Sequence, residues 1–129
     1  MYAVGVYDLI VMVEAPITVV EVPPFPSQAD AYLSHDDRHD LIDFIACHPE
    51  AGDLIPGTGG LRKLRWAMKG GGKRGGLRLI YYFYNSNWPI FLLTIYHKSV
   101  QEDLTTEHRL RLRRLLEVLK SEIKQRSRK

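Results

Sequence analysis

Apolar residues recur with two different periods along this chain, and the change falls near Leu61. Before it, Ile17-Thr-Val-Val-Glu-Val22 is short, β-branched and stopped by Pro23-Pro24, which predicts a strand. Ser27 is placed to cap a short helix over 27–34, with Ala29, Tyr32 and Leu33 as its apolar side. Asp36 and Asp37 open a second helix over 36–48, in which Leu41, Phe44 and Ile45 repeat at i, i+3 and i+4. His48-Pro49 and Gly52 end it. The two helices predict a hairpin lying across a sheet.

From Leu61 the period is two. Runs at Leu61–Ala67, Leu77–Tyr84 and Ile90–Lys98 are separated by turn-rich stretches at 70–76 and 85–89, which predicts an antiparallel meander. Thr105 is placed to cap a last helix whose Leu112, Leu115, Leu116, Leu119 and Ile123 share a face. The expected order is β-α-α-β-β-β-α. That is a small α+β domain over 17–129, with a three- or four-stranded, mostly antiparallel sheet, its helices on one face and the other face open. Residues 1–16 stand before it as an N-terminal extension that is a strand, a loose segment or a few extra codons, and they are not expected to carry catalysis.

Charge changes this picture most. Arg38 is the only one of the eighteen Lys and Arg residues that precedes Leu61. Residues 61–129 carry seventeen cations against five acids, a net of +12; residues 1–60 carry one against ten, a net of −9; together they give the formal +3. No Asp or Glu occurs from Leu61 to Val100. Such polarity points to a polyanionic partner. If Leu64 and Trp66 face the core, Lys63 and Arg65 leave on the open face, where Arg78 and Lys98 join them with Tyr82 or Tyr96 nearby. Like charges gathered on adjacent strands repel, which costs stability unless a ligand needs them.

Other chemistries fit less well. The single cysteine, Cys47, excludes an intrachain disulfide and a four-thiolate zinc site, and it fits a reducing cytoplasm. The apolar run Val4–Val13 is half the length a membrane span takes and lacks a basic leader, so no membrane association is expected. Gly70-Gly-Gly-Lys-Arg-Gly-Gly has no Ser or Thr after its Lys and leads into a strand, so it reads as a hairpin loop with Lys73 and Arg74 at its tip. His35 and His39 lie four apart among Asp36, Asp37, Asp40 and Asp43, but helix capping and the macrodipole already account for acids there, and no metal or other cofactor is expected.

Three linked segments carry a family likeness. They are Gly-Asp-Leu-Ile-Pro-Gly-Thr-Gly-Gly-Leu-Arg-Lys-Leu-Arg (52–65), Gly-Lys-Arg-Gly-Gly-Leu-Arg-Leu-Ile-Tyr-Tyr-Phe (72–83), and Phe-Leu-Leu-Thr-Ile-Tyr-His-Lys (91–98) followed by Glu-Asp-Leu-Thr (102–105). In order and spacing the chain resembles the HigB branch of the RelE toxin family over about Ile17 to Gln125. The resemblance implies a RelE-like fold and the toxin of a bacterial type II toxin–antitoxin pair, a metal-independent endoribonuclease that cuts translated mRNA in the ribosomal A site. It implies as partners the ribosome, mRNA and a cognate antitoxin of the helix-turn-helix, HigA-like kind, with operator DNA reached only through that antitoxin. The family's catalytic cations fall at Lys63, Arg65 and Arg78, with Lys98 closing the last strand. Arg62, Lys73, Arg74, Tyr82 and Tyr96 are the further candidates to bind RNA. The chain departs from RelE itself, which has an Arg after the last-strand Lys and a Tyr nearer its C-terminus. Here Ser99 stands at the first place and no Tyr follows Tyr96, so that chemistry is either supplied by Lys98, Tyr96 or Tyr82 or is weaker here.

RNA is cut without metal when its 2′-OH attacks the adjacent phosphorus, leaving a 2′,3′-cyclic phosphate and a 5′-OH. The reaction needs a base, cations for the phosphorane and an acid for the leaving oxygen. Lys63 or Lys98, crowded by like charges, is the expected base; Arg65 and Arg78 suit the phosphate. Two rivals remain on sequence alone: a non-catalytic basic module that grips RNA or an acidic protein, and a degenerate toxin that acts only through its antitoxin.

Overall fold

The computed structural model describes residues 16–67, 76–101 and 103–127. The expectations for 1–15 and for Lys73 and Arg74 at the loop tip lie outside the described residues. The elements are β1 (Val19–Glu21), α1 (Phe25–Tyr32), α2 (His35–Cys47), β2 (Asp53–Leu54), β3 (Leu61–Trp66), β4 (Leu77–Tyr82), β5 (Ile90–His97) and α3 (Thr106–Ser127). One five-stranded sheet runs in the order β1-β5-β4-β3-β2. Only the β1·β5 pairing is parallel; the other three are antiparallel. The class is α+β, as the pattern predicts, but with more strands than expected. The additional strand, β2, is two exposed residues and offers no alternation to read.

Local chemistry accounts for the ends of the elements. Ser34 caps α2 by accepting from the Asp37 N–H at 3.1 Å, and Asp36 and Asp37 lie in its first turn, where the dipole favours anions. Helix α1 starts two residues before its expected position. Ser27 lies inside its first turn and donates to the Pro24 carbonyl at 3.0 Å instead of capping. Pro26 is tolerated there because a first-turn N–H has no partner within the helix. Before β3, Thr58 donates to the Ile55 carbonyl at 2.6 Å and accepts from the Leu61 N–H at 3.2 Å. Gly59 and Gly60 take positive φ to complete that turn.

The largest correction concerns the faces of the sheet. Helices α1 and α2 cover one face, with Phe25, Ala29, Leu41 and Ile45 packed on Leu64, Leu79, Tyr81, Ile90, Leu92 and Ile95. The opposite face, expected to be open, is half covered by α3, whose Leu112, Leu116 and Ile123 pack with Leu61, Ile80, Tyr82 and Leu93. The cause is apolar area: Ile80 and Tyr82 share a face with Arg78, and burying such side chains is worth roughly 1.5–3 kcal/mol each. Lys120 ties α3 down by donating to the Gly59 carbonyl at 2.5 Å. The helix starts near the other end of β3, where Arg109 meets Asp103.

Two more features set the geometry. Between β4 and β5 the register slips after Ile80, which faces Thr94 while Tyr81 faces Leu92. Leu93 is thus the extra residue of a bulge. Among the described residues the outer edge of β5 has no strand partner beyond Glu21, and the Gln28 side-chain oxygen accepts from the Ile95 N–H and the Thr94 hydroxyl, each at 2.9 Å. Among the described residues, no helix is long and apolar enough to cross a membrane.

Candidate functional site

Three adjacent strands build the site. Arg65 on β3 lies opposite Arg78 on β4, and Arg78 lies opposite Tyr96 on β5. Directly paired residues share a face, with Cβ atoms about 4.5–5.5 Å apart, so Arg65, Arg78 and Tyr96 form one rung across the sheet. Lys63 stands one rung along, opposite Ile80, which in turn faces Thr94. The alternation of the sequence thus brings Lys63, Arg65 and Arg78 together on the face that α3 only half covers. Arg65 is exposed, while Lys63 and Arg78 are half-buried. The Arg78 guanidinium donates to the Leu77 carbonyl at 3.1 Å. Lys98 is exposed in the turn after β5, its N–H bonded to the Gly76 carbonyl at 2.8 Å.

An acid completes the cluster from beyond the strands. Asp103, in the loop before α3, approaches the Lys63 ammonium at 3.6 Å and the Arg109 guanidinium at 3.6 Å. It also accepts from the Leu104 N–H at 2.8 Å. That backbone bond first, and then the two cations, hold its carboxyl below the usual carboxylate range. Gln101 pins the loop by donating to the Asp103 carbonyl at 2.9 Å, and its amide nitrogen also lies 3.1 Å from Nδ1 of His108. The Thr105 hydroxyl caps α3 by accepting from the His108 N–H at 3.1 Å.

Tyr96 is the buried member of the site, 6% exposed. Its hydroxyl has no hydrogen-bond partner among the described residues. Burial first, and the Asp103 charge second, push its pKa up, against a smaller pull from Arg78 and Arg109. The hydroxyl therefore stays protonated at neutral pH, in a field set by an anion and two guanidinium groups.

The other candidates lie elsewhere. Arg62 has the opposite parity and sits on the α1–α2 side. There it donates to the Gly52 carbonyl at 2.7 Å and pairs with Glu50 at 3.7 Å, so it staples the α2–β2 connection to β3. Tyr82 is buried at the far end of the face, with the Lys120 ammonium 6.0 Å from its ring centroid. His39 pairs with Asp43 at 3.0 Å on the exposed side of α2. Among the described residues no three His, Cys, Asp or Glu side chains are grouped to hold a metal ion.

Sequence reasoning missed Asp103, Arg109, Gln101 and His108 as members of the site. The Glu-Asp-Leu-Thr segment was the available signal for Asp103. Arg109 gave none, because only the docking of α3 brings it to the sheet. No protein-family model matches this chain.

Proposed function

We propose that this protein is a RelE/HigB-like toxin, an endoribonuclease that cuts translated mRNA in the ribosomal A site and is restrained by a cognate antitoxin. The observation that supports this reading most is the rung Arg65–Arg78–Tyr96 with Lys63 beside it: fixed cations around a buried, protonated hydroxyl. Arg65 and Arg78 take the non-bridging oxygens of the scissile phosphate and stabilise the phosphorane as charge grows there. Tyr96 gives its proton to the departing 5′-oxygen. The 2′-oxygen forms its bond to phosphorus as the 5′-oxygen leaves, yielding a 2′,3′-cyclic phosphate and a 5′-OH. The 2′-OH proton goes to a lysine in its neutral amine form; Lys98 is offered for this, because Lys63 faces Asp103 as an ammonium and serves with the arginines on the phosphate. Asp103 holds Lys63 and Arg109 in place until RNA phosphate competes for them.

The test is primer extension on an mRNA translated in a cell-free system, with and without the protein. Cuts confined to translated codons are expected, with no cutting by an Arg78→Ala protein that keeps its fold. RNA bound but left whole under translation would replace this reading with a non-catalytic binding module.

A further inference from the structure

A cavity of about 320 Å³ adjoins the site on the other side of Tyr96, between the start of α1, the outer edge of β5 and the first turns of α3. Its size falls at the lower end of the range of small-ligand pockets, about 300–1,000 Å³. Leu104 and Leu112 give it apolar wall, while Gln28, Thr94, Gln101 and His108 give it polar groups. The hydrogen bonds already made fix what those groups still offer. Gln28 spends its carbonyl oxygen on Thr94 and Ile95, which leaves its amide N–H groups as donors. Gln101 spends both amide hydrogens on the Asp103 carbonyl and His108 Nδ1, which leaves its carbonyl as an acceptor. With Nδ1 accepting, the neutral His108 ring carries its proton on Nε2, a second donor. Apolar wall with both donors and an acceptor is the chemistry that reads the edge of an unstacked base. Tyr96 lines this cavity and is also the rung partner of Arg78, Arg111 adds a cation to the wall, and the Tyr96 hydroxyl, unpartnered among the described residues, is itself a group that a nucleotide oxygen satisfies.

We infer that this cavity receives one unstacked nucleobase beside the scissile phosphate and sets the sequence preference of cutting, with Gln101 and His108 reading its edge. The inference rests on the endoribonuclease reading for its biological use, but not for its test.

The four nucleoside 3′-monophosphates and inorganic phosphate are titrated separately into the full chain by ligand-observed NMR, for the wild type, Gln101→Leu and His108→Phe. One nucleotide is expected to bind at least about tenfold tighter than the weakest, and each substitution to narrow the spread to about twofold when every nucleotide is compared with the same protein's affinity for inorganic phosphate. Four nucleotides bound alike, and no better than phosphate, overturn the inference; so does a spread that survives in both folded variants. If a variant does not fold, the wild-type spread and the other variant decide. Cut sites are then mapped on translated mRNA, where the variants are expected to redistribute cutting among codons. Base-selective binding with uncut mRNA leaves the pocket standing and removes the endonuclease reading. Cutting with a profile identical in all three proteins does the reverse.

Discussion

Two tyrosine hydroxyls of this sheet face opposite situations, and removing each should change stability in opposite directions. Tyr96 buries its hydroxyl without a partner among the described residues. Burying an unpaired hydroxyl costs roughly 1–3 kcal/mol, so Tyr96→Phe, which keeps the ring, should stabilise the fold by about 1 kcal/mol at the low end of that range. For a chain of this size that raises the melting temperature by roughly 3–5 °C. Tyr81 donates its hydroxyl to the Pro49 carbonyl at 2.7 Å and accepts from the Gly52 N–H at 2.9 Å. Tyr81→Phe strands both groups and should cost roughly 1–3 kcal/mol. The assay is thermal unfolding followed by circular dichroism, paired with primer extension on translated mRNA. If Tyr96 is the proton donor, its Phe variant should be the more stable protein and cut about a hundredfold more slowly, whereas Tyr81→Phe should melt lower and cut normally while folded. A Tyr96→Phe protein that melts below the wild type refutes the account of an unpaired hydroxyl. One that melts higher yet cuts at full rate removes Tyr96 from the chemistry.

Arg78→Ala should abolish growth arrest on expression without antitoxin while leaving the circular dichroism spectrum intact, and Arg65→Lys should be milder than Arg65→Ala because it keeps the charge and loses only the fork. Asp103 has a folded pKa below its ordinary value of 3.8, so its contribution to stability is present above that value and is lost as pH falls through the folded one. Because the side chain is 54% exposed, Asp103→Asn should cost under about 1 kcal/mol near neutrality, and urea titrations should show the difference closing toward pH 2. Leu116→Ala removes a side chain buried between α3 and the sheet and should cost roughly 2–5 kcal/mol in the same titrations. Deleting residues 1–16 should leave cutting on translated mRNA and antitoxin binding largely unchanged.

All the strands but β2, the helices and the sharing of a face by Lys63, Arg65 and Arg78 were legible because each is a local rule applied to a short run. What alternation could not carry was the count of layers. Ile80 and Tyr82 share a face with Arg78, and apolar residues there called for a cover that the reading of an open face left out. Strict alternation also fails in β5, where Ile90 and Leu92 face one core and, past the bulge at Leu93, the odd-numbered Ile95 faces that same core. The acid of the site was invisible for a different reason. Asp103 reaches Lys63, and Arg109 reaches Asp103, only when α3 docks, and no period in the sequence encodes that approach. Gln28 stands out in no pattern of the sequence, and only the fold shows its side chain bonded to the edge of β5.

The parallel pairing of β1 with β5 has a consequence for synthesis. Val19 meets Ile90 and Glu21 meets Leu92, so β1 must wait for β5, the last strand among the described residues. The same delay holds for the rung, since Arg65 and Arg78 are translated well before Tyr96. Chains elongate at about 5–20 residues per second, and pairings so distant in sequence form late and slowly. A ribosome making this protein therefore carries a nascent chain whose cations have emerged but whose site does not yet exist. Any activity the rung confers begins only once β5 has emerged and paired with β4.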